Sequence, residues 1–344
     1  MKYKFFTNSY HSWKAMYREI QEARTSVYLE MYIFENTVEN FDFFKLLQDK
    51  ARDGIKVKLI LDSFGSKELT QASVSELRSN GVEVLFVSFL FHRMHRKVLI
   101  VDESVAFVGG VNIHNTAKFW NDLVLMIKGE LVPKVVRSFA SSYRNAKGTD
   151  KSILQKLKNK KVNKLKSWLI EHSPSNKIFS LKKIYKENLN KTEKSIVLVT
   201  PYFAPKRWLV ALLHQAVLRG VRVEVLIPKN TDHPFFLDRV NYYYVNKLKK
   251  LGVEFYLHPK MNHAKLTVFD KEEAIVGSNN IDVLSFDLNS EVGVFLKEKE
   301  AVANLLDVVE NWKKESKVFD LNRYKIKWFD YILSPLISVF YRVF

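Results

Sequence analysis

Two stretches of this chain carry the same unusual set of side chains. At His95 the sequence runs HRKVLIVD and goes on to Gly109-Gly110-Val111-Asn112, and at His263 it runs HAKLTVFD and goes on to Gly277-Ser278-Asn279-Asn280. Both fit H-x-K-x4-D-x6-G-[GS]-x-N, and His95, Lys97, Asp102, Gly109 and Asn112 of the first recur 168 positions later in the second. With residue frequencies of about 5%, six specified positions coincide by chance on the order of 10⁻⁸ per register. A lone histidine is ordinarily a core or surface residue; repetition reverses that reading.

The spacing has a chemical logic. In each copy the apolar run between lysine and aspartate reads as a buried strand, so period-two alternation puts His95 with Lys97, and His263 with Lys265, on one face. Asp102 and Asp270 fall off that face and suit a structural bond at the strand end. Glycines after the strand permit close backbone approach, and the Asn112 and Asn280 amides can donate to a phosphate oxygen. One copy is half of a phosphate pocket. Two copies facing each other supply a nucleophile and a general acid/base for a two-step, in-line displacement at phosphorus. Lysines and asparagines then take the phosphoryl charge, so neither metal nor cofactor is expected.

The elements that hold these residues repeat as well. Residues 25–34 form a β-branched and aromatic run, a helical pattern follows up to Gly54, and residues 55–61 alternate as a strand. The same order recurs at 195–203, 209–218, Gly220 and 221–227, and each half continues through another helix, a glycine (Gly81, Gly252) and another strand. The fold class is therefore α/β, with two pseudo-symmetric domains, each a mixed β-sheet flanked by helices, and the active site at their interface. The expected boundaries are 1–146 for the first domain, 147–194 for a basic linker, 195–322 for the second domain and 323–344 for an aromatic tail. Lysines 151, 156, 158, 160, 161, 164 and 166 alternate with apolar residues at roughly helical spacing. They predict an amphipathic helix over 151–170, either lying on an anionic membrane or solvated between the domains.

Composition narrows the partners. Of 344 residues, 47% are apolar and 27% charged, enough for a packed core and too apolar for disorder. The absence of cysteine excludes disulfides, thiolate metal sites and cysteine nucleophiles. A net charge of +18 favours an anionic partner. No secretory signal core or spanning helix is expected. The tail's aromatic residues, Trp328, Tyr331 and Tyr341 among them, would suit a membrane interface or a packed terminal helix.

The doubled motif resembles that of the phospholipase D superfamily, and its flanks are similar to bacterial cardiolipin synthases. These are Glu30-Met31-Tyr32-Ile33-Phe34, Phe91-His92-Arg93-Met94, Thr200-Pro201-Tyr202-Phe203-Ala204-Pro205, Ile227-Pro228-Lys229-Asn230-Thr231-Asp232-His233 and Leu288-Asn289-Ser290-Glu291-Val292-Gly293. The resemblance implies a phosphatidyltransferase that forms a phosphohistidine and passes the phosphatidyl group to phosphatidylglycerol, giving cardiolipin. It implies His95, Lys97, Asp102, His263, Lys265 and Asp270 as the catalytic set, Asn112 and Asn280 as phosphate ligands, and the first-motif histidine as nucleophile. It also implies Asp122 and Glu291, 27 and 28 residues past their histidines, as carboxylates that orient an imidazole, their own or the other half's. The implied partners are anionic phospholipid and a membrane surface rather than nucleic acid, with the enzyme peripheral on the cytoplasmic face of a bacterial membrane. The donor can be phosphatidylglycerol or phosphatidylethanolamine. A hydrolase of the same superfamily, acting on phospholipid or nucleic acid, would use identical residues. A non-catalytic membrane-binding module is the third reading, and the intact second motif argues against it.

Overall fold

The computed structural model describes residues 2–87, 92–158, 167–233 and 237–321. In the first half, strands β1 (Lys2–Asn8), β2 (Ser26–Met31), β3 (Lys56–Asp62), β4 (Glu83–Val87), β5 (Val98–Val101), β6 (Val105–Gly109) and β7 (Asn121–Lys128) make a sheet in the order β1-β7-β6-β5-β2-β3-β4. Helices α1 (Ser9–Gln21), α2 (Phe43–Arg52), α3 (Gln71–Ser79) and α4 (Val132–Asn145) cover it. Strands β2, β3 and β4 are parallel and the rest of the sheet is antiparallel. β2 is buried at all six positions, as a strand covered on both faces must be.

The connection begins with a short α5 (Lys151–Leu154) and a 3₁₀ turn at Gln155–Lys158. The helix expected over 151–170 does not extend across that span: Trp168–Ser173 is strand β8, paired with the second sheet's Glu291–Leu296. The alternation of Trp168, Ile170 and His172 satisfies a strand as well as the apolar spacing satisfied a helix, and sheet pairing decides it. Residues 159–166, with most of the linker lysines, and the tail 323–344 lie outside the described residues.

The second half comprises β8, β9 (Ile178–Phe179), α6 (Ser180–Lys191), β10 (Ser195–Val199), α7 (Arg207–Leu218), β11 (Arg222–Pro228), α8 (Leu237–Lys249), β12 (Glu254–His258), β13 (Leu266–Phe269), β14 (Glu273–Gly277), α9 (Val283–Asp287), β15 (Glu291–Leu296), α10 (Lys299–Glu315) and β16 (Lys317–Val318). Its sheet order is β16-β12-β11-β10-β13-β14-β15-β8-β9, so β15-β14-β13-β10-β11-β12 repeats β7-β6-β5-β2-β3-β4 of the first. Gly54 and Gly220, at φ +82° and +84°, take the left-handed conformation just past α2 and α7 that lets the chain turn back into the sheet.

Each half has its own core between sheet and outer helices. A third cluster joins Val108, Leu123 and Leu125 of the first sheet to Leu266, Val276 and Val292 of the second, together with α4 and α10. The two sheets therefore pack against each other through one continuous hydrophobic layer, which fixes the two motif strands β5 and β13 relative to one another.

Candidate active site

Each motif delivers its residues at the two ends of a short strand. β5 and β13 begin immediately after Lys97 and Lys265, so the histidine and lysine stand at the N-terminal end of the strand. Asp102 and Asp270 follow the C-terminal end. There the backbone turns through left-handed residues, Asp102 and Glu103 in one half and Asp270 and Lys271 in the other. Asp102 accepts hydrogen bonds from the amides of Arg24, Thr25 and Ser26, and Asp270 from those of Glu193, Lys194 and Ser195. The aspartates are thus corrected from the catalytic set to clasps at the start of β2 and β10, which is what their odd spacing from the lysines dictates.

The histidines are oriented across the domain boundary. His95 Nδ1 lies 3.0 and 3.1 Å from the two carboxylate oxygens of Glu291, and His263 Nδ1 lies 2.7 Å from Asp122 Oδ2. Backbone bonds stitch the same places together. The His95 amide donates to Ser290 and the Ser290 amide to Arg93, while the His263 amide donates to Asn121 and the Asn121 amide to Met261. All four ionisable partners are buried. Lys97 and Lys265 reach back to the carbonyls of His95 and His263. Tyr32 packs edge-on to His95 at 5.0 Å, under the Lys97 ammonium, and Trp120 and Tyr202 flank His263 at 5.3 and 6.3 Å.

Burial sets the electrostatics. Loss of solvent drives the His95 imidazole down to about 4, despite Glu291, and pushes His263 well below its ordinary value, with Lys265 acting in the same direction. The ammonium groups respond likewise: burial carries Lys97 well below its usual range and Lys265 down to about 8. An anion entering beside them would supply the counter-charge that restores them, the preorganisation an anion site needs.

The two carboxylates are not equivalent. Burial pushes Asp122 up to about 7, only partly opposed by Lys265 and the Leu123 amide. Burial acts on Glu291 in the same sense, but His95, Lys97 and the Ser278 hydroxyl outweigh it and hold the group below its ordinary value. An ionised Glu291 can only accept, so His95 Nδ1 must carry the hydrogen, leaving Nε2 with a free lone pair. Asp122 and His263 instead share a proton near neutrality.

Asn112 and Asn280 are both buried. Asn112 Oδ1 accepts from the Ile33 amide, Asn112 O takes the Trp13 indole N–H, and Asn280 Oδ1 has no hydrogen-bond partner. Sequence reasoning did not single out Ser285, Trp120 or His172. Ser285 lies in α9, five residues beyond Asn280, where its hydroxyl donates to Glu291 at 2.8 Å. His172 sits opposite Glu291 on β8, a placement only strand pairing reveals. Among the described residues, no three acidic or imidazole side chains are grouped to hold a metal ion.

A family profile described as "Cardiolipin synthase, PLD-like domain" matches residues 16–145 and 185–312. The chain is 29% identical to a cardiolipin synthase of Geobacillus kaustophilus over 96% of its length and 71% of that protein. It is 30% identical to one from Clostridium perfringens over 88% of its length and 68% of that protein. Among solved structures it superimposes on a phosphatidylserine synthase of Haemophilus influenzae with a TM-score of 0.75, at 16% identity and over 99% and 93% of the two chains. A polyphosphate kinase of Porphyromonas gingivalis aligns at 0.62 and 15% identity, over 90% of this chain and 46% of the kinase. At these identities the two structures share the fold.

Proposed function

Because the chain belongs to the cardiolipin synthase PLD-like domain family, phosphatidyltransferases of the phospholipase D superfamily, we propose that it makes cardiolipin through a phosphohistidine at His95. Nε2 of His95 attacks the phosphorus of a phosphatidyl donor, the phosphorus–oxygen bond to the headgroup breaks, and the departing alkoxide takes its proton from the His263–Asp122 pair. In the second step the same pair removes the proton of an incoming phosphatidylglycerol hydroxyl. That oxygen attacks phosphorus, the phosphorus–nitrogen bond breaks, and His95 is regenerated. Lys97, Lys265 and the amides of Asn112 and Asn280 take the charge on the non-bridging oxygens.

The observation that carries this reading is the pair of cross-domain histidine–carboxylate contacts, whose carboxylates their surroundings shift in opposite senses, Asp122 upward and Glu291 downward. A displacement with opposite roles at its two ends needs that inequality. Phosphatidylglycerol is the acceptor on family grounds, and the donor is phosphatidylglycerol or phosphatidylethanolamine. The +18 charge supports work at an anionic membrane surface, on the cytoplasmic face of the membrane. No helix among the described residues is long and apolar enough to cross a bilayer. Labelled phosphatidylglycerol in vesicles that also contain phosphatidylethanolamine tests the reading: labelled cardiolipin supports it, whereas phosphatidic acid alone replaces it with hydrolysis, and no turnover removes it.

A further inference from the structure

The two histidine–carboxylate pairs are related by the internal repeat, yet their surroundings differ at two positions. Behind His95, the Ser278 hydroxyl donates to Glu291 Oε2 and the Ser285 hydroxyl donates to Glu291 Oε1 at 2.8 Å. The Ser285 oxygen is itself fixed, because it accepts the Asn280 amide at 2.9 Å while the Ser285 amide donates to Asp282 at 2.7 Å. Its proton is directed to Glu291 Oε1, with the Asp282 carboxylate as the neighbouring acceptor. The residues 168 positions earlier are Gly110 and Ala117, which have no hydroxyl. The first half also lacks the room, since a Cβ on Gly110 would lie 2.3 Å from Asp122 Oδ1. Among the described residues, Asp122 Oδ1 takes only the neighbouring Leu123 amide, at 2.7 Å.

We infer that Ser278 and Ser285 are positioning residues that assign the nucleophile's role to His95, by holding Glu291 as a fixed acceptor behind its Nδ1–H. The inference rests on the proposed two-step chemistry and deepens it. Two donors to a buried carboxylate favour its charged form and fix its orientation, so the His95 ring is aimed with Nε2 toward phosphorus. The other groups facing Glu291 are Lys97 and Lys265 ahead of the motif strands, His172 on β8, Asp282 before α9, and the phenols of Tyr32 and Tyr185. Of these, Asp282 also meets the Ser285 hydroxyl, so Ser285→Ala changes its surroundings as well, whereas Ser278→Gly does not.

The test compares the parent with Ser278→Gly/Ser285→Ala, which gives the second half the residues of the first, using bis(4-nitrophenyl) phosphate as the probe. Nitrophenolate leaves without protonation, so its release reports the His95 side alone. The expected result is a 10–100-fold slower nitrophenolate burst, roughly that of losing a hydrogen bond to a charged group, with KM within about twofold. The acid limb of kcat/KM should move to higher pH, because the unsupported carboxylate protonates more readily. Ser285→Thr, which keeps the hydroxyl, should restore the burst lost in the single Ser285→Ala variant. A burst rate and acid limb equal to the parent's, in either alanine-bearing variant, would overturn the inference. A parent that cleaves this diester yet makes no cardiolipin would refute the transfer reading separately, leaving the serine comparison intact.

Discussion

The imidazole of His95 is held at 3.0 Å by Glu291, a residue 196 positions further along the chain and in the other domain. The reciprocal contact, His263 to Asp122, spans 141 positions in the opposite sense. Each half therefore contains a histidine that it cannot orient by itself.

Replacing Glu291 by Gln keeps the shape and removes the charge behind His95. We expect kcat to fall by about 10²–10⁴-fold, in the range seen when an orienting carboxylate of a catalytic histidine becomes an amide. KM should change little, and the melting temperature should stay near the parent's. Steady-state kinetics beside a thermal melt checks this, and a retained kcat contradicts it.

The roles of the two histidines are separable by trapping. His263→Ala should accumulate a phosphoryl adduct on His95 when given a donor with a good leaving group, while His95→Ala should form none. Mass spectrometry of acid-sparing quenched protein locates the adduct, and one on His263 of the His95→Ala protein reverses the assignment.

The pH dependence follows from Asp122. Its pair with His263 holds a proton below about 7 and loses it above. Cleavage of a donor with an alcohol leaving group should therefore decline as pH rises past neutrality, whereas nitrophenolate release should lack that limb. Parallel pH profiles with the two leaving groups give the comparison; identical alkaline limbs would contradict it.

Asp102 should matter to stability and not to chemistry. Burial would raise its carboxyl, but the amides of Ser26, Thr25 and Arg24 outweigh burial and hold it below the ordinary range. A depressed carboxyl stabilises the fold above its unfolded-state value, and that contribution disappears as pH falls through the folded-state value. Asp102→Asn, which tolerates the left-handed backbone, should lose about 1–2 kcal/mol at pH 7, discounted for partial exposure. In acid it should unfold like the parent. Denaturant titrations at the two pH values check this, and an equal deficit at both would count against it.

We expect the linker lysines and the tail to attach the protein to an anionic membrane. Among the described linker lysines, Lys156 pairs with Glu103. Truncation after Arg323 combined with Lys→Gln changes in the linker should abolish co-sedimentation with anionic vesicles and leave the far-ultraviolet spectrum unchanged. Undiminished sedimentation of that protein would remove the attachment proposal.

Much of the site was legible because chemistry and repetition coincide in it. His95, Lys97, His263 and Lys265 recur at one offset, and strand periodicity places each pair together. The same periodicity expelled Asp102 and Asp270, and the structure puts them on the amides that begin β2 and β10. Strand β8 was not legible, because a six-residue segment with apolar residues at mixed spacing fits a helix or a strand until a partner is known, and its partner β15 lies more than a hundred residues away. Ser285 was hidden for another reason. Its importance lies in which way one hydroxyl points, and that depends on the amide of Asn280 and the cap of a five-residue helix.

The hydrophobic layer between the sheets, running from Val108 and Leu125 to Val276 and Val292, ties the two halves together. Swinging the halves apart would bring that layer into water at about 25 cal/mol per Å² of apolar surface, and would strip both histidines of their carboxylates in the same movement. The spacing of the two histidines and their carboxylates therefore rests on that layer. On the proposed function, a phospholipid would be drawn partly out of its leaflet to bring its phosphorus to His95, and the deformation needed for turnover would fall on the membrane rather than on the protein.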